Sequence, residues 1–343
     1  MTSTHEPNAS DTARSEILRR LPAKVRTAFS TLGVGAAQFG NLGRPTEEDS
    51  CLQAVELAWE RGLRYFDTAP HYGLGLSERR LGRALASRPR EESVVSTKVG
   101  RLLRENPAPT GSDAHNGFHV PDDLLRVRDY TAEGTLRSLE ESLLRLGTDS
   151  VDIVWIHDPE EPDDRFDEAL TGAVPALERM RDEGVISAWG VGSKDAAMLR
   201  RFVDHASPDL LMVSGRYTLL EQEQIGLMSA CLREQVGVVA VSVFNSGLLA
   251  REEPPAEAWY DYGPAPQHML DRARELAAVA REHAVTLPGA ALAFPMRHPA
   301  VVNVMAGMRS PAHVQRNLDL FDTPIPEDFW NDLQARGLLK EDA

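Results

Sequence analysis

The stretch YFDTAPHYGLGLSERRLG, residues 65–82, ends a short apolar run on Asp67 and sets Tyr72 five residues later. Lys98 closes a second apolar run, SVVSTK, and His157 closes a third, VDIVWIH. These four residue types suit one kind of chemistry. A phenol titrates ordinarily near ~10 and is a poor proton carrier at neutral pH. An ammonium beside its hydroxyl favours the phenolate. A lysine at a buried strand end needs a counter-charge, which Asp67 supplies, and an imidazole can hydrogen-bond either the phenol or a substrate oxygen. Together they form a relay that adds or removes a proton at a carbonyl or alcohol oxygen. Singly, each has a plainer role: Asp67 in a turn, with Ser77 capping the next helix; Tyr72 as a surface aromatic; Lys98 as a solvated strand end; His157 as a satisfied histidine at a loop start. Their placement decides between the two.

Strand-like and helix-like segments alternate along the chain. Strands are expected near residues 31, 65, 93, 151, 186, 210, 238 and 301, each followed by a helix. Eight βα units in one run predict an α/β fold, a single (β/α)8 TIM barrel over residues 26–343, preceded by a flexible tail over residues 1–25. Two connections stand out: a long polar loop from Val99 to about Asp129, and the segment REEPPAEAWYDYGPAP after the seventh strand. Active sites of such barrels lie at the C-terminal strand ends. Asp67 ends the second strand, Lys98 the third and His157 the fourth, with Tyr72 in the loop after the second. Three adjacent strands therefore bring ionisable groups to one rim.

The bulk properties narrow the function classes. A formal net charge of −15 over 343 residues disfavours nucleic acid and anionic membranes as partners. Cys51 and Cys231 are the only cysteines, too few for a disulfide framework or a cysteine-rich metal site, and they suit a reducing compartment. The polar N-terminus lacks the apolar core of a signal peptide, and no apolar run is long enough to span a bilayer. A soluble cytoplasmic protein acting on a small molecule, monomeric or homodimeric and without a metal, is expected.

FDTAPHYG, Lys98 at the end of a third strand and VDIVWIHDP in the fourth resemble the aldo-keto reductase superfamily, in order from about Leu32 to Leu320. Within it, FDTAPHYGLGLSERRLGRAL, SLEESLLRLGTDSVDIVWIHDP, GRYTLLEQ, FNSGLL and GMRSPAHVQRNL resemble the aldose dehydrogenase branch. The resemblance implies Tyr72, Lys98, Asp67 and His157 as the catalytic tetrad. It also implies NAD or NADP lying across the barrel mouth, without a Rossmann domain. Its contacts carry over to Gly35, to Ser193 and Ser214 at the carboxamide, and to Phe244 beneath the nicotinamide. Ser246, Gly247 and Leu248 then approach the pyrophosphate through backbone N–H groups, and Gly307, Arg309, His313 and Asn317 hold the adenosine end. Serines at 193 and 214 depart from the usual asparagine and glutamine. Many NADP-preferring relatives carry lysine where Gly307 stands and arginine where His313 stands, so NAD is favoured.

The implied reaction is oxidation of an aldose at its anomeric carbon to a lactone. The alternatives are oxidation of pyridoxal, reduction of aldehydes and ketones, and a regulatory subunit that binds the cofactor with little turnover. His115, His119, Trp259, Tyr260 and Tyr262, in the two long connections, are candidates to line the substrate pocket.

Overall fold

In a computed structural model, which describes residues 9–340 except 161 and 262, eight parallel strands close into a barrel. They are β1 (Gly33–Gly35), β2 (Tyr65–Asp67), β3 (Val94–Val99), β4 (Ile153–His157), β5 (Ala188–Ser193), β6 (Leu210–Ser214), β7 (Gly237–Val241) and β8 (Val301–Gly307). Each pairs with its neighbour in sequence, and β8 returns to β1 with Gly35 opposite Gly307. Strands buried on both sides read as near-continuous apolar runs, which is why VVSTKV and IVWIH are legible by eye. Helices ring the outside and bury one face each, as in Glu48–Glu60, which turns Cys51, Ala54, Val55, Ala58 and Trp59 inward.

The register places the polar residues. Asp67 lies opposite Ser96, Lys98 opposite Trp155 and His157 opposite Gly192. Side chains alternate along a strand, so Asp67, Ser96, Lys98, Trp155 and His157 all share the barrel's interior face. Gly190 and Gly192 make room beside them; a methyl at Gly190 would sit 2.7 Å from the Trp155 ring.

The structure corrects two expectations about the connections. The described part of the expected tail is α1 (Ala9–Arg19) followed by α2 (Ala23–Phe29). Ile17, Leu21 and Val25 bury into the core, Arg14 Nε donates to Val301 O at 2.8 Å, and Lys24 Nζ pairs with Asp152 at 2.7 Å. These helices cover the N-terminal end of the barrel, where open strand ends would otherwise face water. The expected polar loop after β3 is an antiparallel hairpin, Arg101–Glu105 with Leu124–Arg128. Leu102 and Leu103 of its first strand are buried, while Arg101 and Arg126 reach carboxylates beneath it.

The turn after β2 is held by two backbones in contact. Gly73 has φ 61°, and a methyl there would lie 2.3 Å from Gly40 O. Both the left-handed conformation and the close approach require glycine. Gly73→Ala is expected to cost about 3 kcal/mol in urea-unfolding experiments, and a change under about 0.5 kcal/mol would show that the turn is not rigidly held. Ser77 is not the expected cap. It lies inside the helix Leu76–Leu85, with its hydroxyl 2.8 Å from Thr68 Oγ1 and 2.6 Å from Ala36 O.

Candidate active site

Asp67 and Lys98 form a buried ion pair at the mouth. Lys98 Nζ donates to Asp67 Oδ2 at 2.5 Å and to Thr68 O at 3.1 Å, while Ser96 Oγ donates to Asp67 Oδ1 at 2.6 Å. Both side chains are about 2% exposed. Burial pushes the Asp67 carboxyl above its usual range, against the pull of the Lys98 ammonium and the hydrogen bonds from Lys98 and Ser96.

Tyr72 is half-buried, with its ring centroid 5.0 Å from Lys98 Nζ and 6.0 Å from the His157 ring, edge to face. His157 Nε2 lies 3.3 Å from Asp158 Oδ2, and its buried Nδ1 has no hydrogen-bond partner among the described residues. Burial holds the His157 pKa well below its usual range, with the positive charges of Arg101 and Lys98 acting the same way. The imidazole is therefore neutral. The rim thus gathers the four residues that the sequence singled out.

Three neighbours escaped the sequence reading. His71 stacks edge-on against both His157 (5.5 Å) and Phe118 (5.1 Å). Burial, with Arg101 and Arg126 nearby, keeps it neutral too. Arg101, from the hairpin, lies 3.1 Å from His71 Nδ1 and pairs with Asp158 at 2.7 Å. Phe118 is buried against His71 and Tyr72. The histidine beside Tyr72 was the available signal. His115 and His119, expected at the pocket, are exposed on the turn around Phe118. Trp259 is exposed, and Tyr260 hydrogen-bonds Arg216 and Glu221. Tyr262 lies outside the described residues.

The residues expected at a dinucleotide follow the same rim. Gly35, Ser193, Ser214 and Gly307 end β1, β5, β6 and β8. Ser214 Oγ is 3.0 Å from Ser242 Oγ, and Phe244 is half-buried after β7. The turn beyond it is left-handed at Ser242, Asn245, Ser246 and Gly247. The N–H groups of Gly247 and Leu248 do not face outward as expected; they donate inside this turn, to Phe244 O and Asn245 O. Leu248 is wholly buried, and Ser246 is exposed.

The helix Pro311–Phe321 is capped by Ser310 and carries His313 in its first turn and Asn317 buried in its second. Burial, then the charges of Arg309, Arg44 and Arg316, lower the His313 pKa. Arg309 donates to Gln38, Thr46 and Leu42. Hydroxyls, an aromatic face and a capped helix ringed by cations fit a dinucleotide, because a helix N-terminus and cations both favour phosphate.

A closed barrel thus presents an ion-paired lysine, a tyrosine and a neutral histidine at its mouth. The aldo/keto reductase family profile matches residues 31–336, and the chain belongs to that family. It is 48% identical to a D-threo-aldose 1-dehydrogenase from Pseudomonas sp over 91% of this chain and 95% of that one. It is 34% identical to a pyridoxal 4-dehydrogenase from Microbacterium luteolum, over 94% and 98% of the two chains. Among solved structures, the holo form of an aldo-keto reductase from Bacillus halodurans superposes with a TM-score of 0.69 and 25% identity, covering 90% of this chain and 92% of that one. The chain is an oxidoreductase of the NAD(P)-using aldo/keto reductase family. No described helix is long and apolar enough to cross a membrane.

Proposed function

We propose that this enzyme oxidises an aldopyranose at its anomeric carbon to the lactone, with NAD as cofactor. The observation that carries this reading is the 48% identity, along nearly the whole chain, to a D-threo-aldose 1-dehydrogenase. The site supports it. Tyr72, beside the Lys98 ammonium, takes the proton of the anomeric hydroxyl as a phenolate. Asp67 fixes Lys98, and Ser96 fixes Asp67. His157, neutral, hydrogen-bonds a substrate oxygen and orients the sugar. The nicotinamide, when bound, supplies the hydride acceptor, with Ser193, Ser214 and Phe244 as its holders. Arg101 and Arg126 are each paired with a carboxylate, Asp158 and Asp113, which suits an uncharged polyol better than an acid.

At the adenosine end, Gly307 brings no charge, His313 is held neutral, and Arg309 is committed to three protein oxygens. This favours NAD over a 2′-phosphate, which is best held by cations whose donors are available to it.

The experiment is reduced-nicotinamide absorbance with NAD and NADP separately, on L-fucose, L-galactose, D-arabinose and pyridoxal. Turnover on a sugar is expected, with kcat/KM for NAD about tenfold above NADP or more. Turnover on pyridoxal alone would overturn the sugar reading in favour of the second one. That second reading draws on the 34% relative and on the aromatic rim of His71 and Phe118. Tight dinucleotide binding without turnover on any substrate would favour a regulatory subunit.

A further inference from the structure

Beside the relay stands a second imidazole to which the reaction described above gives no part. His71 precedes Tyr72, and its ring centroid lies 6.1 Å from the Tyr72 ring and 5.5 Å from the His157 ring. It is held from three sides. The buried Phe118 ring meets it edge-on at 5.1 Å, and Arg126 Nη2 donates to its backbone oxygen at 2.8 Å. Arg101 Nη1 lies 3.1 Å from its Nδ1. Both arginines are themselves fixed, Arg101 by Asp158 at 2.7 Å and Arg126 by Asp113 at 2.6 Å.

The hydrogen bond between Arg101 and His71 has one possible direction. A guanidinium has donors and no acceptor, so Nδ1 accepts and carries no proton. An imidazole with a bare Nδ1 is neutral and holds its proton on Nε2. Burial and the charges of Arg101 and Arg126 lower the His71 pKa, in agreement with that geometry. Nε2 has no hydrogen-bond partner among the described residues and, unlike His157 Nδ1, is not sealed from solvent. His71 therefore presents a fixed N–H donor beside the two rings of the relay.

In an aldopyranose the anomeric carbon carries the reacting hydroxyl and the ring oxygen, and the adjacent carbon carries the 2-hydroxyl. With the reacting oxygen at Tyr72 and His157, a donor one ring further along meets one of those two neighbours. Hydride loss leaves the anomeric carbon electron-poor, and the ring oxygen supplies density to it. A donor on the ring oxygen would withdraw that density and raise the barrier. The 2-hydroxyl brings no such conflict and accepts through a lone pair. We infer that His71 is a specificity-determining residue whose Nε2–H binds the 2-hydroxyl of the sugar, with Arg101 as the positioning residue that fixes its tautomer. This rests on the sugar reading of the site.

The test compares kcat/KM for the sugar that the wild type oxidises best with that for its 2-deoxy analogue. Comparing the ratio between proteins cancels the difference in intrinsic reactivity of the two sugars. In His71→Leu the ratio is expected to fall about five- to tenfold from its wild-type value, the worth of one oriented hydrogen bond. The loss should lie in KM for the parent sugar rather than in kcat. His71→Gln, whose amide nitrogen donates from nearly the position of Nε2, should keep the ratio within about threefold of the wild type. A packing role alone would lower turnover of both sugars together and leave the ratio where it was. ¹⁵N spectra of histidine-labelled enzyme read the tautomer directly, the His71 signals being those missing from His71→Gln. The wild type should show a protonated Nε2 and a bare Nδ1, and Arg101→Met a mixture of the two tautomers. An unchanged ratio in His71→Leu, an equal loss in His71→Gln, or a proton on His71 Nδ1 in the wild type would overturn the inference. A pure Nε2–H signal in Arg101→Met would overturn the role of Arg101. A wild type that oxidises no sugar would overturn the sugar reading, and this inference with it; an unchanged ratio on a good sugar substrate leaves that reading standing.

Discussion

Tyr72→Phe is expected to lower kcat by about a thousandfold or more and to leave dinucleotide affinity within about twofold. Positioned acid–base groups contribute roughly 10²–10⁴ to rate, and Tyr72 is the sole phenol within ring-stacking distance of His157 among the described residues. The ring itself stays useful. It packs against His71 and Phe118 and lies over Lys98 Nζ at 5.0 Å, and phenylalanine keeps that packing. The fold and the dinucleotide contacts are therefore preserved while the exchangeable proton is lost. The two neutral histidines do not replace it. His157 is held neutral by burial and by the charges of Arg101 and Lys98, and His71 by burial and by Arg101 and Arg126. Taking up a proton at either site would add a positive charge to a rim that already holds three cations. The measurement is steady-state oxidation beside dinucleotide binding. Retention of more than about a tenth of wild-type kcat would show that the proton leaves by another group.

The strands of the barrel were readable because burial on both sides erases polar alternation, leaving runs such as VVSTKV and IVWIH whose first charged or imidazole residue marks the mouth. Closure followed from counting them. Asp67, Lys98 and His157 were readable for the same reason: each interrupts an apolar run, and the register then stacks them on one face, with Tyr72 in the loop just beyond Asp67. What lay outside this signal was missed. The hairpin Arg101–Glu105 with Leu124–Arg128 is half-exposed and rich in arginine, so composition makes it look like a loop, and its first strand, RLLRE, lacks the alternation that would mark a strand. The first helices are polar over most of their surface, and their anchoring depends on contacts with β8 and with Asp152, far away in sequence. Arg101 and His71 carry no spacing rule. Arg101 reaches His71 across 30 residues, and only the closed barrel brings them together.

Lys98→Met separates the relay reading from the plain one most sharply. A lysine at a solvated strand end would tolerate methionine within about 0.5 kcal/mol. Lys98 is instead 2% exposed and holds Asp67, equally buried, at 2.5 Å. Removing one member of a buried pair strands the other charge, at a cost of roughly 3–5 kcal/mol. The stranded Asp67 keeps the hydrogen bond from Ser96 Oγ, which cannot replace the ammonium's charge. Its carboxyl, already raised by burial, rises further once the ammonium is gone. A carboxyl raised in the folded state binds its proton more tightly there than in the unfolded chain. Its contribution to stability is therefore present at low pH and is lost as pH rises through the folded value. The loss in Lys98→Met should consequently be largest near pH 7 and smaller near pH 5, by up to about 1.4 kcal/mol per pH unit. Asp67→Asn/Lys98→Met, which leaves no charge to strand, should recover much of the stability and none of the activity. Urea unfolding of the three proteins at both pH values checks this. A loss that is small, or the same at pH 5 and pH 7, would mean that Asp67 is not dependent on Lys98 for its charge, and the support that Tyr72 draws from the pair would go with it.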